Sequence, residues 1–186
     1  MAVEIVFETH SISVDNERGI ATGWLDGCLS EKGRLLAKEL GERRRRERID
    51  AVFTSDLGRA VETATIAFGD SGIPMYLDKR LRECNYGFLN GMPTTLLELE
   101  RAKHIDAPFP EGESYRDVVT RVQEFLNDLS HAWDGKLVVI IGHSATRWAL
   151  GHLLCGQVLP DLVNAPFAWR KGWRYLLGEA SSHDMD

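Results

Sequence analysis

The sequence predicts a single-domain α/β fold, a three-layer sandwich in which a mostly parallel central sheet carries helices on both faces. Three observations support this class. Apolar β-forming runs at Val3–Phe7, Ala51–Thr54 and Leu137–Ile141 are typical of strands that are buried on both sides. Segments with the apolar spacing of amphipathic helices alternate with these runs along the chain. A chain of 186 residues, 44% hydrophobic and 27% charged, suits one substantial core and leaves little room for a second domain.

Composition and charge narrow the classes of partner. The formal net charge is -6, and the basic run Arg43–Arg46 lies near the end of a predicted helix, where the helix dipole favours cations. We therefore expect no nucleic-acid partner. No apolar stretch approaches membrane-spanning length and no basic leader is present, so no membrane partner is expected. The cysteines Cys28, Cys84 and Cys155 are widely spaced without a CxxC pair, which favours a reduced, cytoplasmic location.

The first half of the chain begins with the strand at Val3–Phe7 and continues into a polar segment, Ser11–Leu29. We interpret this segment as a long loop, and loops of that length are usually functional. Ser30 can cap the next helix, which is expected to end near Arg46. After the strand Ala51–Thr54, a further helix is predicted to open at Ser55-Asp56. Its expected inner face consists of Ala60, Val61, Ala64 and Phe68.

The second half of the chain contains an irregular region rich in glycine and proline. A short third strand is predicted at Pro74–Leu77 before it. Within it we interpret residues 91–113 as a short insertion, or lid, over the carboxyl ends of the strands, with a helix near Thr95–Arg101. The remaining predicted elements are a long helix from Ser114 to Trp133, the strand Leu137–Ile141, a helix Ala145–Leu154 and a last strand Trp173–Leu177.

Three side chains of functional character follow predicted strands. His10 and His143 each come just after an apolar β-run, and Arg59 lies on the first turn of the helix after the second strand. Each has an ordinary structural explanation, His143 as a helix cap and Arg59 as a surface residue. However, the carboxyl ends of parallel strands meet at one edge of a sheet, where ligands bind. Arginine is also suited to phosphate, because its planar fork binds two oxygens and keeps its proton. Together these residues predict a phosphate site.

Five ordered motifs surround these residues and cover most of the chain, up to about Arg147. They are Asn16 with Thr22-Gly23-Trp24, the run from Ser55 through Arg59-Ala60 to Thr63-Ala64, Arg82-Glu83-Cys84-Asn85, Pro110-Glu111-Gly112-Glu113-Ser114, and Ile141-Gly142-His143-Ser144 with Arg147. They resemble the motifs of the histidine phosphatase superfamily, which includes the cofactor-dependent phosphoglycerate mutases. The segment Thr9-His10-Ser11, which follows the first strand, departs from the family's arginine-histidine-glycine, because Thr9 replaces the arginine and Ser11 replaces the glycine.

The resemblance implies a phosphomonoesterase that acts on a small phosphorylated metabolite through a phosphohistidine intermediate. His10 would be the nucleophile, Glu83 the general acid and base, and Arg59 and His143 would stabilise the transferred phosphoryl group. The family's pattern implies further phosphate-binding positions at Thr9, Ser13, Asn16, Thr22, Gly23 and Ser144. Neither a metal ion nor another cofactor is expected.

The threonine at position 9 leaves alternatives open. The missing arginine would normally hold the phosphoryl group, and Arg18, Arg82 or Arg147 are candidates to supply its charge. The alternatives without a substitute are slower catalysis, a less charged substrate, or a non-catalytic or weakly active phosphate-binding or regulatory domain.

Two further enzyme classes compete with a phosphatase. The short segment between Gly91 and Glu113 favours a phosphatase over a phosphoglycerate-type mutase, which has a longer insertion there. A metal hydrolase using His10, His143 and Glu83 ranks last, because no HExxH or similar signature is present. The sequence predicts neither the substrate's identity nor the oligomeric state.

Overall fold

The computed structural model describes residues 2–178, which fold around a five-stranded central sheet and a small two-stranded one. The strands are β1 (Val3–Thr9), β2 (Ile20–Ala21), β3 (Ala51–Thr54), β4 (Met75–Leu77), β5 (Met92–Pro93), β6 (Leu137–Gly142) and β7 (Trp173–Leu177). The helices are α1 (Val14–Arg18), α2 (Glu31–Arg44), α3 (Gly58–Phe68), α4 (Thr94–Glu100), α5 (Tyr115–Ala132), α6 (Ser144–Cys155) and α7 (Leu159–Asn164).

The central sheet has the order β4-β3-β6-β1-β7. Its first four members are parallel, and β7 pairs antiparallel with β1. The predicted, mostly parallel α/β sheet is therefore confirmed, with the last strand as the exception. In the register of β1 and β6, Thr9 lies opposite Gly142, so both strands end at the same level. That alignment brings His10 and His143, the next residues along each strand, to one rim of the sheet.

Helices cover both faces of the sheet, as predicted. Alternate residues of β1 enter two separate cores, because successive side chains of a strand point to opposite faces. Ile5 and Phe7 join α5 and α6, whereas Val6 joins α2 and α3. Each fully buried large apolar side chain contributes roughly 1.5–3 kcal/mol. Among the described residues, no helix combines the length and apolar character needed to cross a bilayer.

The segment Ser11–Leu29 contains structure that the sequence did not predict. It includes the five-residue helix α1 and the short strand β2, which pairs with β5. No residue of α1 is buried, so the apolar periodicity that reveals longer helices is missing. The segment therefore contains regular secondary structure, and the prediction of one long loop from Ser11 to Leu29 is wrong.

The helix after β3 begins later than predicted. α3 starts at Gly58, whereas Ser55-Asp56 was expected to open it. Both side chains are engaged elsewhere: Ser55 Oγ lies 2.7 Å from His143 Nε2, and Asp56 accepts two hydrogen bonds from Arg82. On the inner face of α3, Val61 is only partly buried.

The predicted insertion at residues 91–113 contains β5, α4 and a 3₁₀ turn at Arg101–His104. It is fastened to the segment before the second helix, since Gly91 N donates to the Ala21 carbonyl at 2.8 Å. Ala21 lies two residues before Gly23 in the sequence. The hydrogen bond therefore places the start of the insertion at the edge of the predicted site.

Candidate active site

His10 follows the last residue of β1 and is held by two hydrogen bonds. Its backbone N donates to the Gly142 carbonyl at 2.8 Å, and its Nδ1 lies 2.7 Å from the Ser11 carbonyl. Because a carbonyl only accepts, Nδ1 carries the proton and Nε2 keeps a free lone pair. Burial, together with the charge of Arg59, lowers the pKa of His10 to about 3. The ring is therefore neutral at pH 7 and can act as a nucleophile.

His143 lies directly after β6 and faces His10, with the ring centroids 5.0 Å apart. Its Nε2 lies 2.7 Å from Ser55 Oγ, and its Nδ1 lies 3.4 Å from Arg59 Nη2. A guanidinium only donates, so Nδ1 accepts and the Nε2 proton is donated to Ser55. Burial, and then the positive charge of Arg59, lower the pKa of His143 well below its ordinary value. The site thus contains two neutral imidazoles.

Arg59 is 3% exposed and lies between the two histidines and the β2 side of the rim. Its Nη2 donates to the Gly23 carbonyl at 2.9 Å, whereas its buried Nη1 has no partner among residues 2–178. Burial lowers the pKa of Arg59 and the negative charge of Glu83 opposes this, but a guanidinium stays protonated in either case. A buried donor without a partner costs about 1–3 kcal/mol. An anionic oxygen bound beside the histidines would remove that penalty.

Glu83 is 9% exposed and is tied to the same rim. Its Oε1 accepts hydrogen bonds from the backbone N of Cys84 at 2.8 Å and of Ala145 at 3.2 Å. Ala145 lies in the first turn of α6, two residues after His143. The backbone carbonyl of Glu83 accepts from Trp24 Nε1 at 2.7 Å, which fixes the residue from the other side. The structure therefore brings His10, Arg59, Glu83 and His143 together.

Two predicted phosphate-binding residues lie on the β2 side of the site. Gly23 has a positive φ of 56°, and a Cβ there would overlap the Asn90 side chain, so glycine is needed. Its carbonyl holds Arg59, as described above. The Thr22 hydroxyl donates to Asp15 Oδ2 at 2.8 Å. Thr22 thus positions the backbone next to Gly23 with its hydroxyl already engaged.

Ser13 and Asn16 form the capping box of α1. Ser13 Oγ accepts from Asn16 N, and Asn16 Oδ1 accepts from Ser13 N, both at 3.0 Å. Ser13 was predicted to contact phosphate, but its fully buried hydroxyl caps the helix. The box engages only Oδ1 of Asn16, so its NH₂ group is not used by the cap.

The two remaining predicted contacts flank the histidines. Thr9 is the last residue of β1, and Ser144 is the first residue of α6. Both are partly exposed, and both adjoin an imidazole along the chain. The positive end of the α6 dipole favours an anion near Ser144.

Two residues of the second motif, Ser55 and Thr63, orient the site although sequence reasoning assigned neither of them a role there. Ser55 is fully buried and contacts His143; it directly follows β3, the same signal that identified His10 and His143. Thr63 Oγ1 accepts from Ser11 N at 3.0 Å and donates to the Arg59 carbonyl at 2.7 Å. Thr63 lies one turn after Arg59 on α3, within the second of the motifs that resemble the family, but that resemblance assigned it no role.

Known proteins resemble this chain in both sequence and fold. The family model described as histidine phosphatase superfamily (branch 1) matches residues 6–167. The chain is 32% identical over 187 residues to a 2,3-bisphosphoglycerate-dependent phosphoglycerate mutase of Methylobacterium sp. (strain 4-46), covering 89% of this chain and 90% of the relative.

Solved structures agree with this match. Bacillus stearothermophilus YhfR superposes with a TM-score of 0.82 at 30% identity, covering 91% of this chain and 88% of that one. A mycobacterial glucosyl-3-phosphoglycerate phosphatase in complex with VO3 superposes with a TM-score of 0.77 at 25% identity, covering 86% and 85%. With two imidazoles and an arginine at the carboxyl rim of an α/β sheet, and a family match over residues 6–167, the chain belongs to the histidine phosphatase superfamily.

Proposed function

We propose that the protein is a phosphomonoesterase that hydrolyses a small phosphorylated metabolite through a phosphohistidine at His10. One observation carries this proposal. The neutral imidazole of His10 presents an unprotonated Nε2, and next to it Arg59 holds a buried N–H that no described residue accepts. A nucleophile beside an unpaired cationic donor suits a phosphoryl group, which needs an attacking lone pair and stabilisation of its oxygens.

The reaction proceeds in two displacements at phosphorus. In the first, a bond forms between His10 Nε2 and phosphorus while the bond to the substrate oxygen breaks, and Glu83, which enters this step with its carboxyl group protonated, gives that proton to the oxygen. In the second, Glu83 takes a proton from water, the water oxygen bonds to phosphorus, and the bond to His10 breaks. Inorganic phosphate leaves, and both residues return to their initial states.

Ser55 allows His143 to assist both steps. Nδ1 of His143 accepts from Arg59 in the structure, so in this tautomer it has no proton for a phosphoryl oxygen. A serine hydroxyl donates as readily as it accepts. If Ser55 instead donates to Nε2, His143 takes up its other neutral tautomer by losing the Nε2 proton to water and gaining one from water at Nδ1, and this Nδ1–H can be donated to the phosphoryl group. Ser55 therefore acts through His143, as a positioning residue.

A mutase is the second candidate, supported by the relative of that name in Methylobacterium. A mutase would retain the phosphoryl group on His10 and pass it to another hydroxyl instead of water. The short insertion at residues 91–113 favours hydrolysis, because it offers less cover against water. The ratio of inorganic phosphate to transferred phosphate, measured with an added alcohol acceptor, separates the two reactions.

The cytoplasm is the proposed location. Cys28, Cys84 and Cys155 are all free thiols, and two of them are exposed, as expected in a reducing compartment. Cell fractionation with thiol labelling in each fraction tests this placement.

A rapid-quench experiment tests the proposed function. Wild-type protein is incubated briefly with ³²P-labelled small monoesters in the presence of EDTA. We expect label on His10 that is labile to acid and stable to base, and none on His10→Asn. His131→Asn, which changes an exposed histidine on α5, serves as the matched control. Undiminished turnover by His10→Asn contradicts the proposal.

EDTA in the same assay tests the expected independence from metal. Within residues 2–178, no group of three or more His, Cys, Asp and Glu side chains is arranged to hold a metal ion. Activity that EDTA abolishes and zinc or magnesium restores would favour the metal-hydrolase alternative instead.

A further inference from the structure

The side chain of position 9 faces α6. Residues directly opposite each other in neighbouring strands share a face, and Thr9 lies opposite Gly142. A Cβ on Gly142 would point at Phe7 and at Thr146 of α6. Any cation that replaces the family's arginine must therefore reach the rim from the α6 side of the sheet.

Most arginines near the rim are already paired or lie elsewhere. Arg82 forms two hydrogen bonds of 2.6 Å with Asp56. Arg44 is paired with Glu8 on the opposite face of β1, at 2.7 Å. Arg18 is exposed in the last turn of α1. None of these is a free cation on the α6 side.

Arg147 differs from these residues in both place and partners. Its backbone N donates to the His143 carbonyl at 3.0 Å, so the two side chains leave α6 about one turn apart. Its guanidinium lies over the Trp173 ring, 5.3 Å from the centroid, and its buried Nε has no partner among residues 2–178. Burial lowers the pKa of Arg147, and nearby Arg170 adds to this effect. Arg147 is thus a cation that an incoming anion would stabilise.

Arg147 rests over a ring that packs against the same strand and the same face as position 9. Trp173 is opposite Phe7 in the β1–β7 register, and their rings are 5.9 Å apart. Phe7 and Thr9 lie on the same face of β1, two residues apart, which corresponds to ~7 Å. The spacing between Phe7 and Thr9 along the strand is about the length of an extended arginine side chain, so a change of rotamer is enough to carry the guanidinium over that distance.

We propose that Arg147 supplies the phosphate-binding cation that position 9 lacks, by turning from Trp173 towards a phosphoryl group at His10. This inference rests on the proposed function and names a further residue of the same site. The threonine leaves the space that the family's arginine would fill, and Arg147 enters it from the neighbouring helix. The charge at the site is therefore retained while its origin moves from β1 to α6.

The test must separate two roles of Arg147: binding of phosphate through its charge, and packing of its side chain against Trp173. Arg147→Met keeps an aliphatic stem over the ring and removes the charge. Thr9→Arg/Arg147→Met returns the charge at the family's position. Arg174→Met is the matched control: Arg174 neighbours Trp173 on β7, is exposed and is paired with Glu47 at 2.9 Å.

The probe is orthovanadate, which resembles the transferred phosphoryl group, with binding measured by calorimetry. We expect Arg147→Met to weaken binding at least about tenfold, as for loss of one charge-assisted contact. The Kd of the double variant for orthovanadate should return to within about threefold of the wild-type value, and the Kd of Arg174→Met should stay within about twofold of it. The kcat/KM for p-nitrophenyl phosphate should follow the same order.

Two results overturn the inference. One is wild-type orthovanadate affinity in Arg147→Met. The other is a folded double variant that binds as weakly as Arg147→Met, which would limit Arg147 to packing. If Arg147→Met does not fold, Arg147→Gln replaces it under the same criteria. Failure of the proposed function would appear in a different measurement, as the absence of both phosphohistidine and turnover in the wild-type protein. Vanadate binding requires neither a phosphohistidine nor turnover, so the two failures can be distinguished.

Discussion

At the scale of single residues, the site depends on two imidazoles that stay neutral beside a cation. Arg59 lies close to both rings, and its positive charge opposes their protonation. The carbonyl of Ser11 fixes the tautomer of His10, and Ser55 orients His143. Each ring therefore keeps one nitrogen free of a proton at neutral pH, which is the state that attack on phosphorus requires.

These neutral rings predict a loss of stability in mild acid. The pKa of His10 falls from an ordinary value of 6.5 to about 3 on folding. Between these values the unfolded chain binds a proton that the folded chain does not, so the free energy of unfolding decreases as pH falls through this window. For His10 the decrease reaches at most about 2 kcal/mol at pH 5, since the ring is partly exposed. Urea unfolding at pH 7.5 and pH 5 measures it.

His10→Asn provides the comparison for this prediction. The variant lacks the titrating ring but keeps the carboxylates that respond to acid in both proteins. Its loss of stability between pH 7.5 and pH 5 should therefore be smaller than that of wild type. If the free energy of unfolding falls by the same amount in both proteins between pH 7.5 and pH 5, the fold does not hold His10 neutral.

At the scale of elements, the rim is assembled from short pieces that follow the ends of strands. The helix α1, the paired strands β2 and β5, and the first turn of α6 carry Asn16, Gly23 and Ala145 to the site. Neither α1 nor the strands β2 and β5 have a large buried face. Their positions are therefore set by hydrogen bonds, from the cap of α1 and between the backbones of β2 and β5. The stability of α1 therefore depends on its capping box.

Ser13→Ala tests whether Ser13 acts as a cap. We expect a loss of about 1 kcal/mol in stability and faster amide exchange in α1, because an N-cap hydroxyl is removed. Ser13→Thr, which keeps the hydroxyl, should restore most of the protection. Weaker orthovanadate binding with unchanged exchange in α1 would contradict this and return Ser13 to the phosphate site.

At the scale of the whole molecule, a buried ion cluster joins three elements beneath the site. Glu8 of β1 pairs with Arg44 of α2 at 2.7 Å and with Arg43 at 3.1 Å. Arg44 also donates to the Lys171 carbonyl at 2.9 Å, before β7, and to Glu47 at 2.7 Å. The Glu8 and Arg44 side chains are 2% and 7% exposed, so water does not screen the pair. The cluster therefore holds β7 and α2 against the strand that leads to His10.

Removal of one partner from this cluster should be strongly destabilising. Glu8→Ala leaves Arg44 buried without its carboxylate, and we expect a loss of about 3–5 kcal/mol in the free energy of unfolding. Glu8→Met/Arg44→Met should recover most of it, because two apolar side chains need no counter-charge. Urea unfolding measures both variants.

Arg45→Met is the control for the buried cluster. Arg45 belongs to the same basic run but pairs with Glu42 at the surface, with both side chains at least 70% exposed. Its removal should change stability by less than about 1 kcal/mol. If Glu8→Ala has no greater effect than Arg45→Met, the cluster does not hold the sheet as described.

The sequence by itself determined the α/β class and the position of His10, Arg59 and His143 at one sheet edge. Both conclusions rest on local signals: the apolar period of each segment, and the place of a polar residue relative to a strand end. α1 escaped prediction because it buries no residue and so leaves no periodic pattern. The basic run Arg43–Arg46, which begins at the end of α2, likewise gave no sign that Arg44 is buried.

Only the tertiary structure decided which side chains are partners. Ser55 meets His143 across 88 residues of sequence, and Arg44 meets Glu8 across 36. The assignment of Ser13 to a helix cap also required the observed hydrogen bonds, because a serine hydroxyl suits a backbone N–H as well as a phosphate. Local patterns specify which chemical groups reach the rim, whereas packing between distant segments specifies which atoms they face.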